Sequence, residues 1–318
     1  MRGVWSGRFP YIVQDLHARY GEVVRIAPNE LSFASSSSWD DIYSMTDGSN
    51  PSAFPKSKTW HGSFIDNSAS SVFTKIDFKE HARARRAMDP GFSERAVLRQ
   101  EFILNEYVDL FITKIRERTA ATGNTVVDIV TWLNFVMFDI IGDLAFGESF
   151  HCLENAEYED WMSGMFGSIK ANYLTISLRH YPLIFNLLMK FIPAKAKAQM
   201  KEHARRTKSK VDQRLNSKID RPDIISQIQR DEDGNKNELS REEIYANAPL
   251  FIMAGSETTV TVLTGIINHL VQNRGSLAKL EQELRKLTAA EQLTLAALKQ
   301  LPYLNAVLNE GLRMCNPK

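Results

Sequence analysis

The feature that most constrains this sequence is one long apolar stretch with helical periodicity. It runs from Ile244 to Leu270, and Ser240 followed by Glu243 forms a capping-box pattern at its start. We therefore predict one helix over 240–273, about 50 Å long at 1.5 Å per residue. A helix of that length crosses a whole domain, so the rest of the fold has to be arranged around it.

The centre of this helix carries small and polar residues, in the order Ala-Gly-Ser-Glu-Thr-Thr over 254–259. Ala254 and Gly255 reduce side-chain bulk, which allows a flat ligand to lie close to the backbone. Glu257 can relay protons, and Thr258 can hydrogen-bond to a carbonyl one turn earlier. The alternative is a kinked core helix whose hydroxyls bond to its own backbone and whose carboxylate lies at a helix–helix contact.

Two further pairs of charged or polar residues have helical spacing. Glu310 and Arg313 are three residues apart on a helix predicted over 301–315, where they share a face and can pair. The alternative is an ordinary surface ion pair, which contributes little to stability.

His81 and Arg85 are four residues apart in the basic stretch 79–86. At that spacing they share a helical face and could clamp a ligand carboxylate, with the guanidinium as a bidentate donor. The alternatives are a solvated basic face and a weak nucleic-acid patch. The net charge of +1 argues against nucleic acid as a partner.

Composition favours a large core and one domain. The chain has 318 residues, 43% of them hydrophobic, without a repeat or a clear linker. Cys152 and Cys315 form no CxxC pair or Cys/His cluster, so neither a disulfide framework nor a zinc site is indicated. We expect no signal peptide and no membrane span. The nearest candidate span, 132–146, is interrupted by polar residues.

The chain is predicted to be mainly α with a small N-terminal β-sheet, in a single domain 1–318. Residues 1–76 form a small β-rich part with a helix at 9–20, strands at 22–26 and 30–33, a short helix at 39–45 capped by Ser38, and a long irregular binding loop at 47–75. Residues 77–318 form the helical part, with helices at about 77–88, 94–121, 128–146, 155–175, 193–217, 222–230, 240–273, 276–288 and 301–315.

Taken together, these segments resemble the cytochrome P-450 family of haem-thiolate monooxygenases. Residues 254–259 look like the oxygen-activation motif of that family, and Glu310-Gly311-Leu312-Arg313 looks like its ExxR helix. His81 and Arg85 fall where the family has Trp-x-x-x-Arg, before a Pro-Gly-Phe-Ser segment at 90–93. Segments 20–33 and 132–147 are similar to fungal microsomal members.

The resemblance implies haem as the cofactor and assigns residues to it. Ala254 and Gly255 would lie against the haem, and its propionates would meet His81 and Arg85. Glu257 and Thr258 would be catalytic and would supply protons for oxygen activation, with Thr258 also steadying the oxygen. Glu310 and Arg313 would form a structural lock behind the haem.

The sequence departs from the family at the metal ligand. The axial cysteine of the family lies in a Phe-x-x-Gly-x-Arg-x-Cys loop well beyond the ExxR helix, and this chain ends before that loop. Cys315 lies two residues past Arg313 without that context, so we assign no metal ligand in this chain. The chain is expected to be an inactive fragment whose C-terminal haem-thiolate part is missing.

The intact protein is expected to hydroxylate a lipophilic small molecule, such as a terpenoid or another secondary metabolite. Its expected partner is an NADPH-dependent reductase, and its expected location is the cytosolic face of the endoplasmic reticulum membrane. The substrate would contact the 47–75 loop, Phe251 and the segment 172–191. The alternative function is a non-catalytic helical protein that binds an apolar ligand or a partner through a degenerate pocket.

Overall fold

The computed structural model describes residues 3, 6–43, 54–61, 70–123, 126–158, 175–219, 221–229, 239–287 and 293–316. Contacts divide the chain into two compact units. Unit 1 consists of Met1–Arg86 and Gly164–Glu202, and unit 2 consists of Ala87–Ser163 and His203–Lys318. The assignment of a single domain, with a β-rich part at 1–76 and a helical part at 77–318, stays a prediction.

Unit 1 begins with a helix followed by a β-hairpin, as predicted. Helix α1 is Phe9–Tyr20, and the antiparallel strands are β1, Val23–Ala27, and β2, Glu30–Phe33. Gly21 ends α1 with a φ of 94°, a value that favours glycine. The ring of His17 joins the helix to the hairpin, because its nitrogens lie 2.8 Å from the Gly21 carbonyl and 2.8 Å from the Ser32 hydroxyl.

Two predictions for the rest of this region are wrong in detail. Helix α2 is Ser37–Tyr43, so Ser38 lies inside it and does not cap it; its hydroxyl donates to the Ser35 carbonyl instead. The predicted irregular loop contains a helical turn, α3, at Lys58–His61. Residues 47–53 and 62–69 of that loop lie outside the described residues.

The long helices have bounds close to the predicted ones because their ends carry local capping signals. The remaining elements are α4, Phe78–Phe92; α5, Glu94–Thr122; α6, Ile129–Phe146; α7, Cys152–Asn155; α8, Pro182–Lys190; α9, Ala194–Asn216; α10, Ile224–Ile228; α11, Arg241–Gln272; α12, Arg274–Leu284; α13, Leu295–Leu298; and α14, Pro302–Met314. Ser93 caps α5 and Asp128 caps α6 through their side-chain oxygens. The capping box of Ser240 and Glu243 at the start of α11 is confirmed.

The helix predicted at 155–175 does not begin there. Helix α7 ends at Asn155, and Ala156 has a left-handed φ of 53°, which stops the helix. The rest of the predicted helix, 159–174, lies outside the described residues.

The core of unit 2 is built on the packing of α6 against α11. Helix α6 is buried along most of its length, and it carries two aspartates that are satisfied within the core. Asp139 accepts hydrogen bonds from the backbone N–H groups of Cys152 and Leu153, at 2.9 and 2.8 Å, and so caps α7. Asp143 accepts from the Tyr107 hydroxyl at 2.8 Å and pairs with Arg221 at 2.5 Å. These bonds explain how a strongly apolar helix tolerates two carboxylates.

Two described helices pass a test of length and apolar composition for a membrane span. They are α6, in which 67% of the tested window is buried, and α11, in which 33% is buried. A mostly buried core helix passes the same test, so the result is weak support for a span.

Candidate functional site

The centre of α11 has one buried face and one exposed face, both within unit 2. Ile252, Ser256 and Val260 are buried. The exposed residues recur at helical spacing on another face; they are Met253, which is 39% exposed, Ala254, Glu257, Thr258 and Thr261. Among the described residues Glu257 lies on the exposed face and at no helix–helix contact, which disfavours the alternative of a core helix with a buried carboxylate.

The hydroxyls of the motif bond to the backbone of their own helix, as predicted. Thr258 Oγ1 donates to the Ala254 carbonyl at 2.7 Å, and Thr259 Oγ1 donates to the Gly255 carbonyl at 3.1 Å. Thr258 is exposed and Thr259 is half-buried. Since Thr258 uses its hydrogen on the helix, its oxygen lone pairs remain available to accept a hydrogen bond from a group on the exposed face.

The close packing of α6 against α11 requires a glycine at position 255. A Cβ on Gly255 would lie 2.8 Å from Cδ1 of Ile141, closer than real Cβ atoms approach. The missing side chain therefore allows α6 and α11 to come close together. Contact of Gly255 with haem, which is implied for it by the resemblance, stays a prediction.

Tyr158 lies within electrostatic reach of this face, and the sequence analysis missed it. Its ring lies 4.9 Å from the Phe135 ring and 5.9 Å from the Phe138 ring, both on α6. Burial, followed by the charges of Cys152, Asp128 and Glu257, raises the pKa of the Tyr158 phenol to about 12. The phenol thus keeps its proton at neutral pH. No local pattern marks Tyr158, because its neighbours come from elements distant in sequence.

Glu310 and Arg313 pair with each other, as predicted. The guanidinium donates two hydrogen bonds to the carboxylate, from Nε and Nη2, each 2.7 Å long. The hydrogen bond from Arg313 lowers the pKa of Glu310. Both side chains are exposed, so the bidentate pair presents a fixed geometry on the outer surface of α14.

A cluster of basic side chains lies in unit 1 around the predicted clamp. Burial, followed by the charges of Lys56, Arg85 and Lys75, lowers the pKa of His81. His81 is therefore neutral at pH 7, and the exposed Arg85 is the cation of the predicted pair. Lys56 donates to the carbonyls of Val72 and Phe73, at 3.3 and 3.2 Å.

The sequence analysis missed Lys56 and Lys75 because they lie in the region predicted as an irregular loop. Together with His81 and Arg85 they form a set of groups suited to an anionic ligand. These groups belong to unit 1, whereas the motif of α11 belongs to unit 2. The implied contact of Arg85 with the propionates of a haem stays a prediction.

The described residues fit a haem in part. Ala254 and Thr258 offer an exposed face with a small side chain beside a hydroxyl, and the basic cluster suits carboxylates. Neither cysteine suits the iron. Cys152 is buried beside α6, and Cys315 packs against α11 so closely that a Cβ on Gly265 would lie 2.2 Å from its sulfur. Gly265 is about 10 Å along the helix from Thr258 at 1.5 Å per residue. Within the described ranges no group of three or more His, Cys, Asp or Glu residues could hold a metal ion.

The chain is similar to known proteins over nearly its whole length. The sequence profile of the family described as "Cytochrome P450" matches residues 3–317. The cytochrome P450 monooxygenase astJ of Aspergillus oryzae is 37% identical over 98% of this chain and 61% of its own length. The cytochrome P450 monooxygenase lcsI of Purpureocillium lilacinum is 36% identical over 96% of this chain and 59% of its own length.

A solved structure has the same fold. The crystal structure of the cytochrome P450DA heme domain superposes with a TM-score of 0.62 at 19% identity, covering 80% of this chain and 53% of that chain. The mainly helical architecture with a small N-terminal sheet is thus confirmed. The chain spans about three fifths of the length of the curated relatives it matches. On the profile match over nearly every residue and on these identities, the chain belongs to the cytochrome P450 family.

Proposed function

We propose that this chain is the distal part of a haem-dependent monooxygenase that hydroxylates a lipophilic small molecule. The observation that carries the proposal is the exposed face of α11, where Ala254, Glu257 and Thr258 lie together in the middle of a long helix. A small side chain, a carboxylate and a hydroxyl at this spacing can approach a flat cofactor and manage protons beside it. Family membership and the names of the relatives, all cytochrome P450 monooxygenases, support it.

A bound haem would supply the oxygen chemistry, and the protein would supply binding, orientation and protons. Ala254 would lie against the porphyrin, because its methyl group is the smallest side chain on the exposed face. Arg85 would meet the propionates as a cation, and His81 would meet them as a neutral donor. Glu310 and Arg313 would hold each other in one geometry on the surface of α14.

Thr258 and Glu257 have different roles in this proposal. The Thr258 hydroxyl is fixed by its bond to the Ala254 carbonyl, so its oxygen is held in one position on the exposed face. It would accept a hydrogen bond there and orient the reacting group. Glu257 is exposed and can exchange protons with water, so it would renew the proton that the reaction consumes at this face.

The substrate assignment rests on the resemblance and on relatives from fungi. Phe251, one of the expected pocket residues, is buried in unit 2, with its ring 5.7 Å from that of Phe92. This packing favours a core role for Phe251. We also propose an NADPH-dependent reductase as the electron donor, and the cytosolic face of the endoplasmic reticulum membrane as the location of the whole protein.

The proposal is tested by replacing Thr258 in a full-length protein that contains this chain. Thr258→Ala should lower the product formed per NADPH consumed, with a loss in product rate of about 10²–10⁴ if the hydroxyl positions a proton. Thr259→Ala is the matched control. It removes the same chemical group from the next residue, which is half-buried. Equal product per NADPH in both variants and the parent would remove Thr258 from the mechanism.

The alternative, a non-catalytic helical protein that binds an apolar ligand, makes a different prediction in the same experiment. It predicts that the full-length protein binds lipophilic compounds without NADPH-dependent product in the parent as well as in both variants.

A further inference from the structure

The described parts of the 47–75 loop hold a partly buried cation. Lys56 is half-buried, and its ammonium donates to the carbonyls of Val72 and Phe73, at 3.3 and 3.2 Å. Among the described residues these two carbonyls are its hydrogen-bond acceptors, and no carboxylate is one of them. An ammonium has three N–H donors, so one of them is left for a ligand.

Exposed aromatic side chains belong to the same two segments of unit 1. Phe54 precedes Lys56 by two residues and is 64% exposed, and Phe73, whose carbonyl accepts from Lys56, is 54% exposed. Trp60 on α3 is 39% exposed. The His61 ring packs on the Phe73 ring, with the two centroids 5.3 Å apart. Aromatic surface beside one placed cation suits a ligand with an apolar body and an anionic end.

The charge of Lys56 is not balanced by a neighbouring acid. The nearby Lys75 forms its own ion pair with Glu80, at 3.9 Å. Burial, followed by the charge of Lys56, lowers the pKa of both His61 and His81, so both rings are neutral at pH 7. Lys56 therefore offers a single positive charge with one free N–H, which matches a monoanion such as a carboxylate.

We infer that Lys56 binds a carboxylate of the substrate, so that the substrate is a lipophilic carboxylic acid. Its apolar body would lie on Phe54, Trp60 and Phe73. This inference rests on the monooxygenase proposal above and names the substrate class for it. A haem propionate is the other source of a carboxylate. The propionates are assigned to His81 and Arg85 on α4, whereas Lys56 belongs to the loop in which the substrate is expected.

Calorimetric titration of a full-length protein that contains this chain tests the inference. The ligands are dodecanoate and 1-dodecanol, which have equal chain length and differ in the carboxylate. The parent should bind dodecanoate about tenfold or more tightly than dodecanol, because the ammonium hydrogen-bonds to a charged group only in the acid. Lys56→Met, which keeps the apolar stem, should lose this preference, and Lys56→Arg should keep it. Lys58→Met removes an exposed lysine of the same segment and is the matched control, which should keep the preference.

The ratio of the two affinities separates recognition from a structural role of Lys56. A lysine that only holds the carbonyls of Val72 and Phe73 would, when replaced, weaken both ligands by the same factor. Phe73→Ala should do this, by about tenfold, because it removes apolar contact area from both ligands.

The haem content of the variants separates the two sources of the carboxylate. Lys56→Met should keep the haem content of the parent. Loss of haem in Lys56→Met would overturn the inference, because Lys56 would then hold a propionate. A parent that binds dodecanoate no better than dodecanol, or equal losses for both ligands in Lys56→Met, would also overturn it. These results would leave the monooxygenase proposal in place, since that proposal is tested by product formation in the Thr258→Ala variant.

Discussion

Thr258 and Thr259 are adjacent and chemically identical, yet the fold gives them different surroundings. Both hydroxyls bond to a carbonyl one turn earlier, so neither leaves an unsatisfied donor. Only Thr258 lies on the exposed face with Ala254 and Glu257, whereas Thr259 lies half-buried. The difference follows from the 100° rotation between successive helical residues, and it makes the pair a built-in control for the proposed chemistry.

His61 and His81 should make unit 1 sensitive to mild acid. Burial lowers the pKa of both imidazoles, with Lys56 as the next cause for each. In the unfolded chain they take up protons near their ordinary pKa of about 6.5, whereas the folded chain resists protonation until lower pH. The unfolded state therefore binds more protons in this window, and stability falls as pH falls through it.

The measurement is the melting temperature between about pH 7 and pH 5 for the parent and for His61→Gln/His81→Gln. As the pH falls, the melting temperature of the double variant should decrease less than that of the parent. His151→Gln, which removes an exposed imidazole of unit 2, is the control. Its melting temperature should depend on pH as that of the parent does. Identical pH dependence in the parent and the double variant would show that these histidines are accessible in the folded chain.

Tyr158 and Glu257 should titrate as neighbours. The carboxylate is one of the charges that raise the pKa of the phenol to about 12, after burial and the charges of Cys152 and Asp128. The substitution Glu257→Gln should therefore lower the phenol pKa. The substitution Glu242→Gln, at the start of α11, should leave it unchanged. Absorbance of the phenolate reports the titration, taken as the difference between each protein and its Tyr158→Phe counterpart. If Glu257→Gln left the phenol pKa unchanged, the carboxylate would not act on the phenol.

At the scale of elements, glycines set how closely the helices of unit 2 pack. Gly255 brings α11 against Ile141 of α6, and Gly311 brings α14 against α11. A Cβ on Gly311 would lie 2.3 Å from Cγ1 of Ile266, which is itself buried. Glu310 and Arg313 of the same helix pair on the exposed surface.

Substitution of Gly311 should separate these two helices. Gly311→Ala is expected to lower the free energy of unfolding by about 1–3 kcal/mol, because the added methyl group has no space at the contact. Gly275→Ala is the control, since a Cβ there meets nothing within 4 Å and alanine favours helix over glycine. Urea denaturation measures both. Adding Ile266→Val, which shortens the neighbouring side chain, should restore part of the lost free energy of unfolding. A Gly311→Ala variant as stable as the parent would show that the two helices are not in close contact at Gly311.

Helix ends were predictable from sequence where the capping residues are local. Ser93, Asp128 and Ser240 each accept hydrogen bonds from backbone N–H groups within three residues, so the starts of α5, α6 and α11 could be read directly. The pairing of Glu310 with Arg313 was predictable for the same reason. The predicted start of the helix at 155–175 is wrong because Ala156 adopts a left-handed conformation although it is not a glycine.

The rest of the candidate site depends on contacts between distant segments, which periodicity does not report. Ile141 gives Gly255 its packing role, although more than a hundred residues separate them. Lys56 and Lys75 approach His81 from a segment without regular pattern. Several apolar side chains of α8 are exposed, although an apolar helical pattern normally indicates burial.

At the scale of the whole molecule, the chain divides into two compact units. Unit 2 holds the exposed face of α11 and the Glu310–Arg313 pair, and unit 1 holds the basic cluster and α8. About two fifths of the length of the curated relatives lies outside the portion that this chain matches, since the chain covers 61% and 59% of their lengths. The assignment of no metal ligand in this chain stays a prediction; Cys152 is buried, and Cys315 packs against α11.

The reduced carbon-monoxide difference spectrum of a full-length protein that contains this chain tests the account most directly. The account predicts a thiolate-type Soret band that persists in Cys152→Ser and in Cys315→Ser, because neither sulfur ligates the iron. It also predicts that the 318-residue chain alone, supplied with haem, gives no such band. A thiolate-type band that disappears in Cys315→Ser, or a full-length protein that gives no thiolate-type band, would contradict the account.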